Sequence, residues 1–538
     1  MRLLRTTTLE LEDFMGISPA YAILSHRWQD DEVSFQDMMN GEAANKAGYS
    51  KIKKCCREAS KQGLNYAWID TCCIDKTSSA ELTEAINSMY QWYQNAKVCF
   101  VYLFDVDDSE VDAHCSDDAV DSAHFENSSW WTRGWTLQEL IAPSALEFYN
   151  SKWNLLGSKH DLTALITTIT GIHHKMLQGA NPETFSVAQR MSWASKRTTT
   201  RTEDIAYSLL GIFGVNMPML YGEGEKAFIR LQEEIMKHSN DHSLFAWSVE
   251  GEGYRGLLAK SPASFQQSYD VVPSFNKLSH VPYFVTNFGL SITLAFIPWA
   301  MDTYFVALDC EREDKYDSRI GIYLKLLREK DQAARISLDG TDFPTFESRN
   351  FPLVHLRQIY VRQQVWFVAP QPDRLYGFWI RTLPPMIMFA KGSRFAVADC
   401  NQPIYRTEVL SRNVWNDGER FLKLETGEHG TAGRIWYESV DKHRYTVFKI
   451  GFDDAFNPVC LCSTHGVEGS LRDLPVSDNK WLQYPVGRKD GYLQGDRFLG
   501  LRETVHLVTV SVSKEVVGGQ RMWVIDIHPV LTDEKQSR

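Results

Sequence analysis

"VCFVYLF", residues 98–104, is an almost unbroken apolar run of strand-forming residues. Central strands of a parallel sheet have this composition because helices cover both of their faces. The run follows "SSAELTEAINSMYQWYQNA", residues 78–96, whose apolar residues recur on one face at helical spacing. We predict that Ser78 begins this helix in a capping box with Glu81. A strand directly after an amphipathic helix is the repeating unit of an α/β fold.

The same alternation extends to both sides of this unit. "YAILS", residues 21–25, and "YAWID", residues 66–70, are short apolar runs, and the amphipathic segment at residues 50–63 separates them. A fourth run, "LEFYN", residues 146–150, follows a helix predicted to begin at about Thr136. Repeated strands and helices with right-handed crossovers predict an open parallel sheet.

Polar residues follow the first two strands. In open parallel sheets, ligands bind beyond the carboxyl ends of the strands, so these residues are candidate ligand contacts. The alternative is that they only begin polar loops, and an aspartate there can cap the next turn. The candidates are Ser25, His26, Arg27, Trp28, Asp70 and Asp75.

"SSWWTRGWTLQEL", residues 128–140, places three tryptophans ahead of a single acid, Glu139. An acid in the first turn of a helix is favoured by the helix dipole alone, so the residues by themselves favour a structural role. Tryptophans most often pack in the core. We expect Trp135 to point inward and either Trp130 or Trp131 to be partly exposed.

Composition excludes several classes of protein. The net charge of -11 argues against a nucleic acid or an anionic membrane as the main partner. No apolar run reaches the length of about 18 residues that suggests a membrane span, and the first residues lack the apolar core of a secretory signal. The ten cysteines include no C-x-x-C pair. This pattern predicts reduced thiols in a cytoplasmic protein without a metal site.

The rest of the chain divides by pattern. Residues 1–160 form the predicted α/β domain, residues 161–244 a helical extension, and residues 245–538 a β-rich, sandwich-like region that could sense a signal or bind a protein partner. The acidic segment at residues 105–126 is interpreted as a solvated loop. In the extension, a cluster of charged residues predicts a buried ion-pair network, with a phosphate contact as the alternative. The cluster comprises Lys196, Arg197, Arg201, Glu203 and Asp204.

Longer motifs carry a family resemblance. "YAILSHRW", "WIDTCCIDKTSSAELTEAINSMYQWYQNAKVCFVYL", "RGWTLQELIAP" and a long segment beginning "SVAQRMSWASKRTTTRTEDIAYSLLGIFG" resemble the HET domain of fungal heterokaryon-incompatibility proteins. The resemblance runs from about Tyr21 to Trp247. HET domains in turn look similar to TIR domains, and this similarity implies a TIR-like, flavodoxin-like sheet.

The TIR resemblance also implies a chemistry. In enzymatic TIR domains, the glutamate of the matching motif cleaves the nicotinamide–ribose bond of NAD, and here that residue is Glu139. In the same motif, the aromatic residue before the glutamate is Trp135. Trp28 departs from the TIR pattern, since many TIR domains have glycine there, and it could crowd the pocket mouth or stack on a ring. Arg27 and Arg133 could contact the diphosphate of NAD or pair with acids. NAD is then a substrate and no resident cofactor is expected. The implied function is a cell-death effector activated by self-association, and the alternative is a non-enzymatic signalling module that binds a partner.

Overall fold

The fold is described from a computed structural model. It describes residues 1–107, 122–248, 253–300, 303–316, 318–327, 331–337, 344–347 and 356–363, and short strands between residues 377 and 529. Most of the acidic segment at residues 105–126 lies outside the described residues, so its interpretation stays a prediction. No helix in the described part of the chain is long and apolar enough to cross a membrane.

A seven-stranded sheet organises the first part of the chain. Its strands are β1 (Arg2–Arg5), β2 (Leu11–Asp13), β3 (Ala22–His26), β4 (Tyr66–Trp68), β5 (Val98–Tyr102), β6 (Leu146–Tyr149) and β7 (Leu155–Ser158), in the spatial order β2-β1-β4-β3-β5-β6-β7. The four central strands are parallel, as predicted. The three outer strands are antiparallel, which corrects the prediction of a purely parallel sheet. These edge strands have only three or four residues, too few to show a pattern in the sequence.

Helices cover this sheet and continue beyond it. They are α1 (Phe35–Met39), α2 (Tyr49–Lys61), α3 (Asp70–Cys73), α4 (Ser79–Asn95), α5 (Ser122–Glu126), α6 (Thr136–Ile141), α7 (Thr163–Thr170), α8 (His174–Leu177), α9 (Val187–Ala194), α10 (Asp204–Tyr207), α11 (Leu210–Phe213) and α12 (Lys226–Met236). The last six lie between residues 163 and 236, within the segment predicted as a helical extension.

The capping box predicted at the start of α4 is only half formed. The Ser78 hydroxyl accepts a hydrogen bond from the Glu81 backbone amide at 3.3 Å. The Glu81 carboxylate, however, accepts from the Asp75 backbone amide at 2.7 Å and from Arg2 at 2.9 Å. The second half of the prediction is therefore wrong, because the Glu81 carboxylate binds Arg2 of β1 and the backbone amide of Asp75 instead of the backbone amide of Ser78.

A small barrel follows the helices. Its strands pair in a closed ring, β11-β10-β16-β14-β13 and back to β11. This ring corrects the sandwich prediction for this segment. The sequence does not distinguish the two architectures, since both are built from the same short apolar strands. The strands in this region are β8 (Val271–Pro273), β9 (Phe284–Thr286), β10 (Gly289–Ala300), β11 (Thr303–Ala307), β12 (Cys310–Arg312), β13 (Ser318–Leu326), β14 (Gln332–Ile336), β15 (Thr345–Glu347) and β16 (Leu356–Val361).

Two further sheets confirm the β-rich character of the remaining residues. One has the order β20-β21-β17-β27-β26, and in the other β18, β22, β23, β24 and β25 are consecutive while β19 pairs with β22. The strands are β17 (Gly377–Thr382), β18 (Ser393–Arg394), β19 (Glu408–Val409), β20 (Val414–Asn416), β21 (Phe421–Lys423), β22 (Gly430–Ser439), β23 (Arg444–Phe452), β24 (Pro458–Gly466), β25 (Tyr492–Gln494), β26 (Val508–Val517) and β27 (Gln520–Pro529).

Buried contacts join the barrel to the end of the helical extension and to the residues that directly follow it. Arg335 of β14 donates to the backbone carbonyls of Phe245, at 2.9 Å, and Trp247, and its guanidinium lies 3.8 Å from the centre of the Trp247 ring. The backbone amide of Asp309 donates to His242 Nδ1 at 3.3 Å. The proposed boundary at residue 244 stays a prediction, but it falls inside a shared core.

Candidate functional site

The parallel strands place one site at the centre of the sheet. Numbered among themselves, these four strands have the spatial order 2-1-3-4, the order of flavodoxin-like sheets. The crossover direction reverses between β3 and β5, and such a point opens a crevice at the carboxyl ends of the strands. Ser25 and His26 end β3 at this point, paired with Val101 and Tyr102 of β5.

Glu139 of α6 reaches this strand end. Its carboxylate accepts a hydrogen bond of 2.5 Å from the Ser25 hydroxyl, and that hydroxyl accepts from the Trp130 indole at 2.9 Å. All three side chains are buried, and Glu139 is 7% exposed. The hydrogen bonds from Trp130 to Ser25 and from Ser25 to Glu139 therefore fix one oxygen of the carboxyl group at the carboxyl end of β3.

The surroundings of Glu139 favour its protonated form. The pKa of Glu139 is raised from 4.5 to about 8, mainly by burial and also by the charge of Asp70. The Ser25 hydrogen bond, Arg133 and the Tyr93 hydroxyl act in the opposite direction on this pKa. Burial dominates because a charged carboxylate loses its hydration while receiving few compensating bonds. A carboxyl group with a strongly raised pKa in a crevice is typical of functional sites.

His26 is buried next to Ser25, the residue that donates a hydrogen bond to Glu139. Its Nε2 lies 3.9 Å from carboxylate oxygens of both Glu32 and Asp70, beyond hydrogen-bond distance. Neither ring nitrogen has a hydrogen-bond partner among the described residues. Burial, together with Lys51, Lys76 and Arg133, lowers the pKa of His26 well below its usual 6.5. A neutral imidazole with a donor and an acceptor is thus available at the strand end.

Trp28 and Asp70 form the outer part of the crevice. The Trp28 indole donates to Asp70 at 2.7 Å, and the ammonium group of Lys76 lies 3.4 Å from the centre of the indole ring. Trp28 is 41% exposed. Burial raises the pKa of Asp70, while Lys76 and the Trp28 hydrogen bond lower it. This aromatic ring already contacts one cation, so it can contact another in the same way.

Two of the sequence-derived candidates lie apart from this cluster. Arg27 is exposed and has no hydrogen-bond or ion-pair partner among the described residues. Asp75 accepts hydrogen bonds from Gln36 at 2.7 Å and from the Thr77 hydroxyl at 2.6 Å, and these bonds stabilise a turn. The contacts of these two side chains do not include Glu139, Ser25 or His26.

The tryptophans of the "SSWWTRGWTLQEL" segment are arranged differently from the prediction. Trp130 and Trp131 are both buried, because their rings pack edge-on against each other and against Phe148 or Phe125. Trp135 is only partly buried, and its side chain is hydrogen bonded to Asp204. The expectation of a more exposed Trp130 or Trp131 is wrong. Arg133 is half buried, and its charge lowers the pKa of Glu139.

Buried cations support both ends of α6. Arg197 Nη1 donates to the Thr136 hydroxyl at 2.7 Å and to the Arg133 carbonyl at 2.8 Å. At the other end, Lys159 donates to the carbonyls of Leu140 and Pro143. Such contacts orient the helix, and with it Glu139, because helix ends leave backbone groups without partners.

The ion-pair network predicted for the extension is wrong. The Glu203 carboxylate accepts from the backbone amides of Gly222 and Gly224, and Asp204 accepts from the Tyr221 hydroxyl. Arg201 stacks over the Tyr221 ring at 4.5 Å. These charged side chains contact backbone amides and an aromatic residue rather than side chains of opposite charge.

Comparison with known proteins identifies the domain. The family described as "Heterokaryon incompatibility protein (HET)" matches residues 21–123, which include the strand end at Ser25 and His26. Residues 21–123 of this chain are therefore similar to HET domains. The family match ends before Glu139, so the HET domain match itself does not assign a role to that residue. Residues 226–269 match a second family, a domain of unknown function named DUF8212.

One curated relative extends the match. The Vegetative incompatibility protein HET-E-1 of Podospora anserina is 48% identical over 225 residues, which are 41% of this chain. This chain covers 16% of that relative's length. No solved structure matches the chain.

Proposed function

We propose that this protein acts in vegetative incompatibility, and that its α/β domain hydrolyses the nicotinamide–ribose bond of NAD. The observation that carries the proposal is Glu139, a buried carboxyl group held by Ser25 at the crevice of the parallel sheet. The incompatibility role is supported by the likeness to HET-E-1, which covers only part of that relative.

The chemistry requires one carboxylate. In oxidised NAD the nicotinamide ring is already cationic, so it leaves as a neutral ring when its bond to ribose breaks. The positive charge then lies on an oxocarbenium-like ribose, as in glycoside hydrolysis. Ionised Glu139 stabilises that charge, water adds to the anomeric carbon, and the carboxylate accepts the proton that water loses. The products are nicotinamide and ADP-ribose, with one proton released.

Substrate binding would also favour the ionised form of Glu139. Without substrate, the pKa of Glu139 is raised to about 8, chiefly by burial, and the group is mostly protonated at neutral pH. A pyridinium ring placed beside it favours the ionised form. His26 can bond a ribose hydroxyl, and Arg133 can contact the diphosphate, because arginine matches phosphate oxygens.

The first test removes the acid. We expect Glu139→Gln to abolish nicotinamide release from NAD, measured by chromatography of the purified full chain, because the amide cannot carry the negative charge. Glu234→Gln is the matched control, since Glu234 pairs with Lys237 on α12 and touches none of the site residues. Product mass separates hydrolysis from cyclisation. Equal turnover in the wild type and Glu139→Gln would remove Glu139 from the mechanism.

A second variant tests the positioning role of Ser25. Its hydrogen bond lowers the pKa of Glu139, so Ser25→Ala should move the rising limb of the pH profile of kcat/KM to higher pH. We expect activity at neutral pH to fall about tenfold, in proportion to the smaller ionised fraction. Thr83→Ala deletes a hydroxyl on α4 and should leave the profile unchanged. A Ser25→Ala profile that scales down without shifting would contradict this role.

The non-enzymatic alternative predicts a different pattern in cells. If the HET domain only binds a partner, cell death on expression persists in Glu139→Gln. If NAD cleavage causes death, that variant is harmless at equal protein level. Self-association belongs to the enzymatic proposal, and specific activity that rises with protein concentration supports it.

A further inference from the structure

A separate cavity lies beside the segment that follows α9. Its volume is about 120 Å³, and Trp131, Trp193, Lys196, Arg197 and Gln266 contribute to its lining. Pockets for drug-sized ligands are larger, roughly 300 Å³ or more. This cavity therefore suits one compact chemical group rather than a whole nucleotide.

The lining carries positive charge without opposing negative charge. It includes two cations, Lys196 and Arg197, and no aspartate or glutamate. Arg197 is only 6% exposed and forms no ion pair among the described residues, although the charge of Glu139 acts on it from beyond ion-pair distance. Burial lowers the pKa of Arg197 to about 9. An unpaired buried charge is costly, which favours a bound anion.

The guanidinium group has an unused donor. Arg197 Nη1 is bonded to the neutral oxygens of Arg133 and Thr136. Nη2 is buried and has no hydrogen-bond partner among the described residues. The hydroxyls of Thr170 and Ser192, which also line the cavity, donate to carbonyls of their own helices. The charged donors in the lining are the Lys196 and Arg197 side chains, and the neutral Gln266 and Tyr269 side chains line the cavity beside them.

We propose that this cavity binds a phosphate group, held by Arg197 and Lys196. Arginine presents planar donors that match phosphate oxygens, and two cations suit a dianion better than a single carboxylate. The bound group would also act on the neighbouring site, because Arg197 contacts Thr136 and the Arg133 carbonyl at the start of α6. The proposal does not depend on NAD cleavage.

Thermal unfolding of the full chain tests binding without turnover. We expect inorganic phosphate to raise Tm along a saturable curve, with sodium chloride keeping ionic strength constant. Gln266→Glu places a carboxylate at the cavity without changing side-chain size, and Lys196→Ala removes one cation. Each should raise the half-saturating phosphate concentration about tenfold. Both residues are exposed, so the fold should tolerate these changes.

The control is Lys54→Ala, which removes an exposed positive charge on α2 and should bind phosphate like the wild type. Identical curves for Gln266→Glu, Lys196→Ala and Lys54→Ala would overturn the proposal, as would no saturable response in the wild type. Ribose 5-phosphate identifies the source of the group. Tighter binding of this ester indicates a phosphate carried on a larger ligand, and tighter binding of inorganic phosphate indicates the free ion.

Discussion

Protonation of Glu139 couples the candidate site to the stability of the fold. Burial raises the pKa of Glu139 from 4.5 to about 8. The folded chain therefore holds this proton more tightly than the unfolded chain does. The resulting stabilisation is complete below the unfolded value and is lost as pH rises toward 8, at up to about 1.4 kcal/mol per pH unit.

The corresponding prediction concerns Glu139→Gln, which cannot titrate. Between about pH 5 and 8, the free energy of unfolding of the wild type should fall relative to that of the variant, because only the wild type loses a stabilising proton. Urea denaturation at several pH values measures the difference. A constant difference across this range would mean that the pKa of Glu139 is the same in the folded and unfolded chains.

Sequence predicted the members of the site better than their contacts. Glu139 and Ser25 were both candidates, but their hydrogen bond joins residues 114 positions apart, and no local pattern contains it. Tyr93 was missed because its position on the apolar face of α4 suggests only packing. Trp130 was assigned to packing alone, although its indole also donates to Ser25. Polar atoms on largely apolar rings have no signature in the periodicity of the sequence.

At the scale of elements, Gly211 sets how closely α11 packs against α4. A Cβ atom at this position would lie 2.0 Å from the Cβ of Tyr90. We expect Gly211→Ala to lower the free energy of unfolding by roughly 1–3 kcal/mol, because the two helices must separate. Chemical denaturation measures the loss, and Thr83→Ala on the solvent side of α4 is the control. An unchanged value would show that the helices adjust without cost.

The central elements were predictable for a physical reason. All four parallel strands are apolar runs because they are covered on both faces, and the long helices repeat their apolar residues at helical spacing. The outer strands β1, β2 and β7 are too short to repeat a pattern, and no amphipathic helix precedes them to mark a β-α unit. Ring closure of the barrel was also unpredictable, since it depends on which distant strands pair.

At the scale of the whole molecule, Arg335 holds the barrel against the segment that directly follows the helical extension. Its guanidinium donates hydrogen bonds to two backbone carbonyls and lies over the Trp247 ring. We expect Arg335→Met to lower the free energy of unfolding by roughly 2–4 kcal/mol, because similar volume remains while two buried carbonyls lose their donor. Lys260→Met, at an exposed ion pair, is the control and should stay near the wild type. Equal unfolding curves would remove Arg335 as a link.

The shared core across residue 244 has a practical consequence for genetic dissection. Gln232 of α12 exchanges hydrogen bonds with the backbone of Ala259, and Leu258 donates to Gln363 beyond the barrel's last strand. An expressed fragment ending at residue 244 would lack these partners and leave the apolar side of α12 uncovered. If such a fragment were inactive in a cell-death assay, aggregation or degradation would explain the result as well as loss of a function would. Fragments that extend through residue 363 keep these partners and give the more interpretable phenotype.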